Sequence, residues 1–70
     1  MSDTVIIDHI LEPLVDKHGL LHIVTALELL CGEKAAHIEM DWQDKPLARE
    51  WDRATNALGI AARKIADLSI

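Results

Sequence analysis

Four histidines in a chain of 70 residues raise metal chemistry first. His18 and His22 are four residues apart, as are Glu33 and His37, the spacing that stacks two ligands on one helical face. Two such pairs on facing helices would supply a four-ligand site. Gly19, however, stands between His18 and His22 and breaks the helix that would align them. The run from Glu33 to His37 also departs from the Glu-x-x-His spacing of di-iron bundles. Cys31 has no second cysteine to join it as a ligand. The expectation is no cofactor and no metal, with His22, Glu33 and His37 as the side chains that would hold an ion if one bound.

Other chemistry is equally sparse. Cys31 beside a histidine would make a nucleophile, but it falls inside an apolar stripe, where cysteine packs as a small hydrophobe. There is no glycine-rich phosphate loop and no ordered Ser-His-Asp set. A non-enzyme is expected. Arg49 and Arg53, one helical turn apart, could grip a carboxylate or phosphate, although ion pairs with the acidic second helix are their expected use. Trp51 falls on an apolar seam and belongs to a core or an oligomer interface. Trp42 lies in a turn beside Asp41, Gln43 and Asp44, either plugging the end of the molecule or standing as a binding hot spot. Trp42, Asp44, Arg49 and Arg53 are therefore the candidate partner-binding residues.

The elements that must position these groups all read as helix. Ile7, Ile10, Leu11, Leu14 and Val15 follow helical spacing and predict a short helix over about 4–18, capped by Ser2, Asp3 or Thr4 and stopped by Gly19. Pro13 inside it predicts a kink or a fresh start. A long helix over about 20–40 carries the stripe Leu20, Ile23, Val24, Leu27, Leu30, Cys31, Ala35 and Ile38. Leu21 and Leu29 fall off that stripe, which suggests contact on two sides. Gly32 could let a neighbouring helix approach, whereas Gly59 reads as an interior cost. Asp44 and Pro46 predict the start of a third helix, over about 45–68. In it Leu47, Trp51, Ala54, Leu58, Ala61, Ile65 and Leu68 follow each other at steps of 4, 3, 4, 3, 4 and 3, a heptad seam. The fold class is all-α: an antiparallel hairpin of two long helices preceded by a short kinked helix, one domain over 1–70. The seam and the second-helix stripe should form the core and the self-association surface.

Composition limits the functions open to such a fold. Half of the residues are hydrophobic, yet the aromatics are two tryptophans alone, as in helical bundles. The formal net charge is −5, concentrated in residues 1–41, with no basic stripe, which argues against nucleic-acid binding. No apolar run is long enough to span a bilayer, and the first residues lack the pattern of a signal peptide, so a cytoplasmic protein is expected. One cysteine cannot form an internal disulfide. A chain this short then needs another supplement to its core, and oligomerisation is the expected one. The leading expectation is a homo-oligomer, most simply a homodimer whose paired hairpins make a four-helix bundle, with Leu27, Leu30, Trp51, Leu58 and Ile65 at the interface.

The stretch His18-Gly19-Leu20, Ala26-Leu27, Cys31, Glu33-Lys34-Ala35 and Trp42-Gln43-Asp44, with Ala48, Trp51 and Ala54 following, resembles short helical proteins of bacteria and their phages that have no assigned activity. The resemblance covers residues 14–57. It implies a bacterial or phage setting and brings no active site with it. It also implies the alternative reading, a phage-type inhibitor or anti-defence protein that binds a host protein through its acidic surface. A bundle that holds a small ligand or a metal is the further alternative.

Overall fold

The helix ends form where short polar side chains and glycine place them. The computed structural model describes residues 2–70, which are helical nearly throughout and include no strand. Helix α1 spans Asp3–His18, and its N-cap is Ser2, whose Oγ accepts the Val5 N–H at 3.4 Å. Gly19 ends it with φ 86°, a backbone region closed to most L-residues, and α2 (Leu20–His37) starts at once. Asp44 Oδ1 accepts the Leu47 N–H at 3.1 Å and caps α3 (Lys45–Ala66), with Pro46 in its first turn.

Of the kink or fresh start expected at Pro13, the fresh start does not occur: α1 runs through Pro13 as one helix. Pro13 leaves the His9 carbonyl without its helical donor, but both residues are exposed, so water can take that place. At its other end α2 stops at His37. The chain then widens into a π-helical turn over Ile38–Trp42 and leaves it through Gln43, a non-glycine residue in the left-handed region at φ 54°.

Packing is concentrated between α2 and α3, whereas α1 approaches α2 and, among the described residues, does not approach α3. Gly32 sits opposite Thr55 and Glu28 opposite Gly59, so the residue numbers of α2 fall as those of α3 rise. The buried positions are Cys31, Ala35 and Ile38 on one side of this contact and Ala48, Gly59 and Ala62 on the other. These are mostly small residues, and they are not the heptad seam.

Of the seam and the second-helix stripe, expected to form the core and the self-association surface, the stripe supplies Cys31, Ala35 and Ile38 to this contact, whereas the α3 seam lies beside it. At about 100° per residue, the seam of α3 lies roughly a quarter-turn away from the line Ala48–Gly59–Ala62 that meets α2. Trp51, Leu58 and Ile65 are half-buried in consequence. Of the α2 stripe, Leu20, Leu27 and Leu30 are exposed. Apolar periodicity identifies residues that share a stripe; the small residues beside the stripe decide which line a neighbouring helix can approach.

The product is a flattened shape of 39 × 33 × 16 Å. Its Cα radius of gyration is 14.1 Å, against about 11 Å for a compact domain of this length.

The two interior glycines make different demands. A Cβ on Gly32 would meet Thr55 Cγ2 at 3.9 Å, an ordinary contact, whereas one on Gly59 would meet Glu28 Oε2 at 2.7 Å. Gly32→Ala should therefore raise the unfolding free energy by about 0.5–1 kcal/mol through helix propensity alone. Gly59→Ala should gain less, because Glu28 must swing aside, and should recover the full gain in a Glu28→Ala background. Urea denaturation of the four proteins in the Glu28/Gly59 cycle reads this coupling directly; strictly additive effects would contradict it.

Candidate functional site

With α2 and α3 side by side in one layer, each pair of side-chain rows lies on one of two broad faces. The first face carries the α3 seam. Helical rotation places Leu20 and Leu27 of α2 on the same side of the contact line as Trp51, Leu58 and Ile65 of α3. Leu27 is 40% exposed, and Leu47 and Leu68 extend the apolar surface along α3. Four of the five expected interface residues thus share a face that their own chain covers only in part. The fifth, Leu30, is also exposed but lies further round α2, beside Glu33, Lys34 and His37. The outward residues of α1, Ile7, Ile10 and Leu14, add further uncovered apolar surface.

The opposite face carries a groove of about 580 Å³ between α2 and Thr55 of α3. Leu29, 65% exposed, Gly32 and Ala36 give it an apolar floor. Glu28 borders it on the α3 side and Glu33 on the outer side. Glu28 is half-buried, with its carboxylate over Gly59, and has no hydrogen-bonding or cationic partner among the described residues. Leu29 announced this face in the sequence by falling off the main stripe. Glu28 carried no such signal, and Gly59, which reads as a mere cost, is the residue that leaves room for its carboxylate.

The π-helical turn forms the third feature. It holds Asp41 beside His37, with Nδ1 and Oδ2 2.8 Å apart, and the imidazole meets the Trp42 indole edge to face at a centroid distance of 6.1 Å. Trp42 is 65% exposed. It therefore does not plug the end of the molecule; the wider π turn carries its ring outward while Ile38 takes the buried position. Asp44 is exposed and is used as the α3 cap.

Arg53 is placed differently from expectation. It pairs with Glu50 of its own helix at 2.9 Å and not with α2. The reason is rotational: Arg53 projects from the side of α3 roughly opposite the α2 contact, where Glu50 is the nearer acid. Arg49 shares a polar recess of about 260 Å³ with Glu39, Lys45 and Asp52. The two guanidinium groups do not converge on one site.

The structure does not gather the candidate metal ligands either. His37 is engaged with Asp41, Glu33 borders the groove, and His22 is exposed beyond the break at Gly19. The three-residue group of ligating side chains found among the described residues is Asp8, His9 and Glu12, three exposed neighbours on α1. Cys31 is buried at the α2–α3 contact, away from solvent, where it packs as a hydrophobe. No helix is long and apolar enough to cross a membrane. No family model, curated protein or solved structure matches the chain.

The two indoles occupy distinct environments, and fluorescence separates them. In Trp51→Phe, which leaves Trp42, emission should be red-shifted and strongly quenched by iodide. In Trp42→Phe, which leaves the half-buried Trp51, emission should be bluer and at least twofold less sensitive to iodide. Equal quenching in the two variants would contradict the placement of these side chains.

Proposed function

We propose that the protein is a non-enzymatic binding module that works as a homodimer, each copy covering the seam face of the other. One observation carries this reading. The chain exposes 5624 Å², whereas a compact monomer of 7.8 kDa exposes about 4,400 Å². The excess is roughly 1,200 Å² per chain, so a pair that removed it would bury about 2,400 Å², within the range of obligate homodimers. Leu27, Trp51, Leu58 and Ile65 supply the apolar centre such an interface needs. In this arrangement two antiparallel hairpins of α2 and α3 make a four-helix bundle, and α1 of each copy lies along its edge.

An adaptor or inhibitor that grips another protein is the second reading. It is favoured by Trp42, a large aromatic side chain held outward by a defined turn, because such residues dominate contact energies. The two readings are compatible, since Trp42 lies at one end of the α2–α3 layer and the seam along its length.

Sedimentation equilibrium at micromolar concentration should show a dimer, with a melting temperature that rises with concentration. Leu58→Glu and Ile65→Glu should each shift the protein to monomer or to a largely unfolded chain. Leu29→Glu, on the opposite face, should leave the dimer intact. A wild-type monomer with a cooperative, concentration-independent melt would overturn the proposal.

A further inference from the structure

We infer that the groove on the face opposite the seam is a docking site for a basic amphipathic helix of another protein, with Leu29 and Ala36 receiving its apolar side chains and Glu28 and Glu33 its lysines or arginines. This goes beyond self-association and uses none of the seam residues. Three observations support it. First, the floor is apolar and open: Leu29 is 65% exposed, and Gly32 and Ala36 beside it leave a trough instead of a ridge. Second, acids stand on both sides of that floor. Glu28 lies toward α3 and Glu33 on the outer edge, about 7 Å apart along the helix axis, with no lysine or arginine lining the trough between them. Glu28 in particular has no hydrogen-bonding or cationic partner among the described residues, so its carboxylate is free to pair with a cation arriving from outside. Third, the length suits a helix. From Thr25 to Ala36 the groove runs along α2 for about 16 Å, roughly three helical turns, and three turns present an i, i+4, i+7 row of apolar anchors. An isolated small cation would leave most of this length empty, and among the described residues Thr55 is the one from α3 beside the trough, so no wall of α3 closes over a small molecule.

The probe is a fluorescein-labelled 14-residue peptide of leucine and lysine with its leucines on one helical face. It is compared with a leucine and glutamate peptide of the same pattern and with a lysine peptide whose leucines are replaced by serine. Fluorescence anisotropy should show saturable binding of the first peptide only, weakening as salt is raised. The Glu28→Gln, Glu33→Gln double variant should weaken binding at least tenfold, and Leu29→Ser should do so independently. Asp8→Asn, Glu12→Gln, which removes the same charge from α1, should change it less than twofold. Equal weakening by the groove and α1 pairs would reduce the effect to net charge and overturn the inference. So would binding of the glutamate peptide, failure of the leucine and lysine peptide to bind, or binding abolished by Leu58→Glu yet untouched by the groove variants. Sedimentation of the same samples keeps the two readings apart: a monomer that binds the peptide through the groove refutes the dimer alone, and a dimer that ignores the peptide refutes the groove alone.

Discussion

Between α2 and α3 lie Cys31 and Ala35 on one side and Ala48, Gly59 and Ala62 on the other, with Ile38 the single large side chain buried there. Small residues let two helices come close, but they leave little apolar area between the axes to remove from water. The remaining leucines and isoleucines, together with both tryptophans, are left half-buried or exposed. This one contact line explains the flattened shape, the large accessible area and the absence of any fully buried large side chain among the described residues. It also explains why fold and recognition are hard to separate in this chain, since the residues that would finish a core are the ones available to bind.

Much of the architecture was legible from local signals. Ser2, Gly19 and Asp44 each act within a few residues of where they stand, and each does what its side chain or backbone freedom favours. The heptad periodicity of α3 was equally plain. Its direction was not, because a period of 3.5 residues says nothing about which line of the helix a neighbour will approach. The alanines and Gly59 settled that, through their lack of bulk. The π-helical turn has no signal of its own in the sequence: Ile38 to Met40 reads as the end of an ordinary helix and Trp42 as part of a turn. Arg53 was legible as an ion-pairing residue but not in its partner, because the choice between Glu50 and an acid on α2 depends on rotation about the axis.

The candidate surfaces divide along similar lines. The seam was visible because apolar repeats stand out. The groove was half visible, through Leu29, because one leucine off a stripe is a weak signal until Gly32, Ala36 and Thr55 are seen to flank it. Spacing pairs His18 with His22 and Glu33 with His37, yet Gly19 separates the first two and Asp41 engages His37 of the second, so spacing alone does not bring His22, Glu33 and His37 together. The acidic character of the chain then has a structural meaning. Its carboxylates are not drawn into a web of internal ion pairs; apart from Asp41 and Glu50, none is paired among the described residues.

Gly19 ends one helix and opens the next with nothing in between, and among the described residues α1 meets no element other than α2. The heading of a rod about 24 Å long is thus governed by the φ and ψ of one residue and by a single flank of contact. A change of about 10° at that joint moves the far end of α1 by roughly 4 Å, about the width of a methyl group. Ile7 and Ile10, and with them Asp3 and Asp8, ride on that lever arm. Their distance from anything else in the molecule is set by leverage at a glycine, whereas the spacing of α2 and α3 is set by atoms in contact.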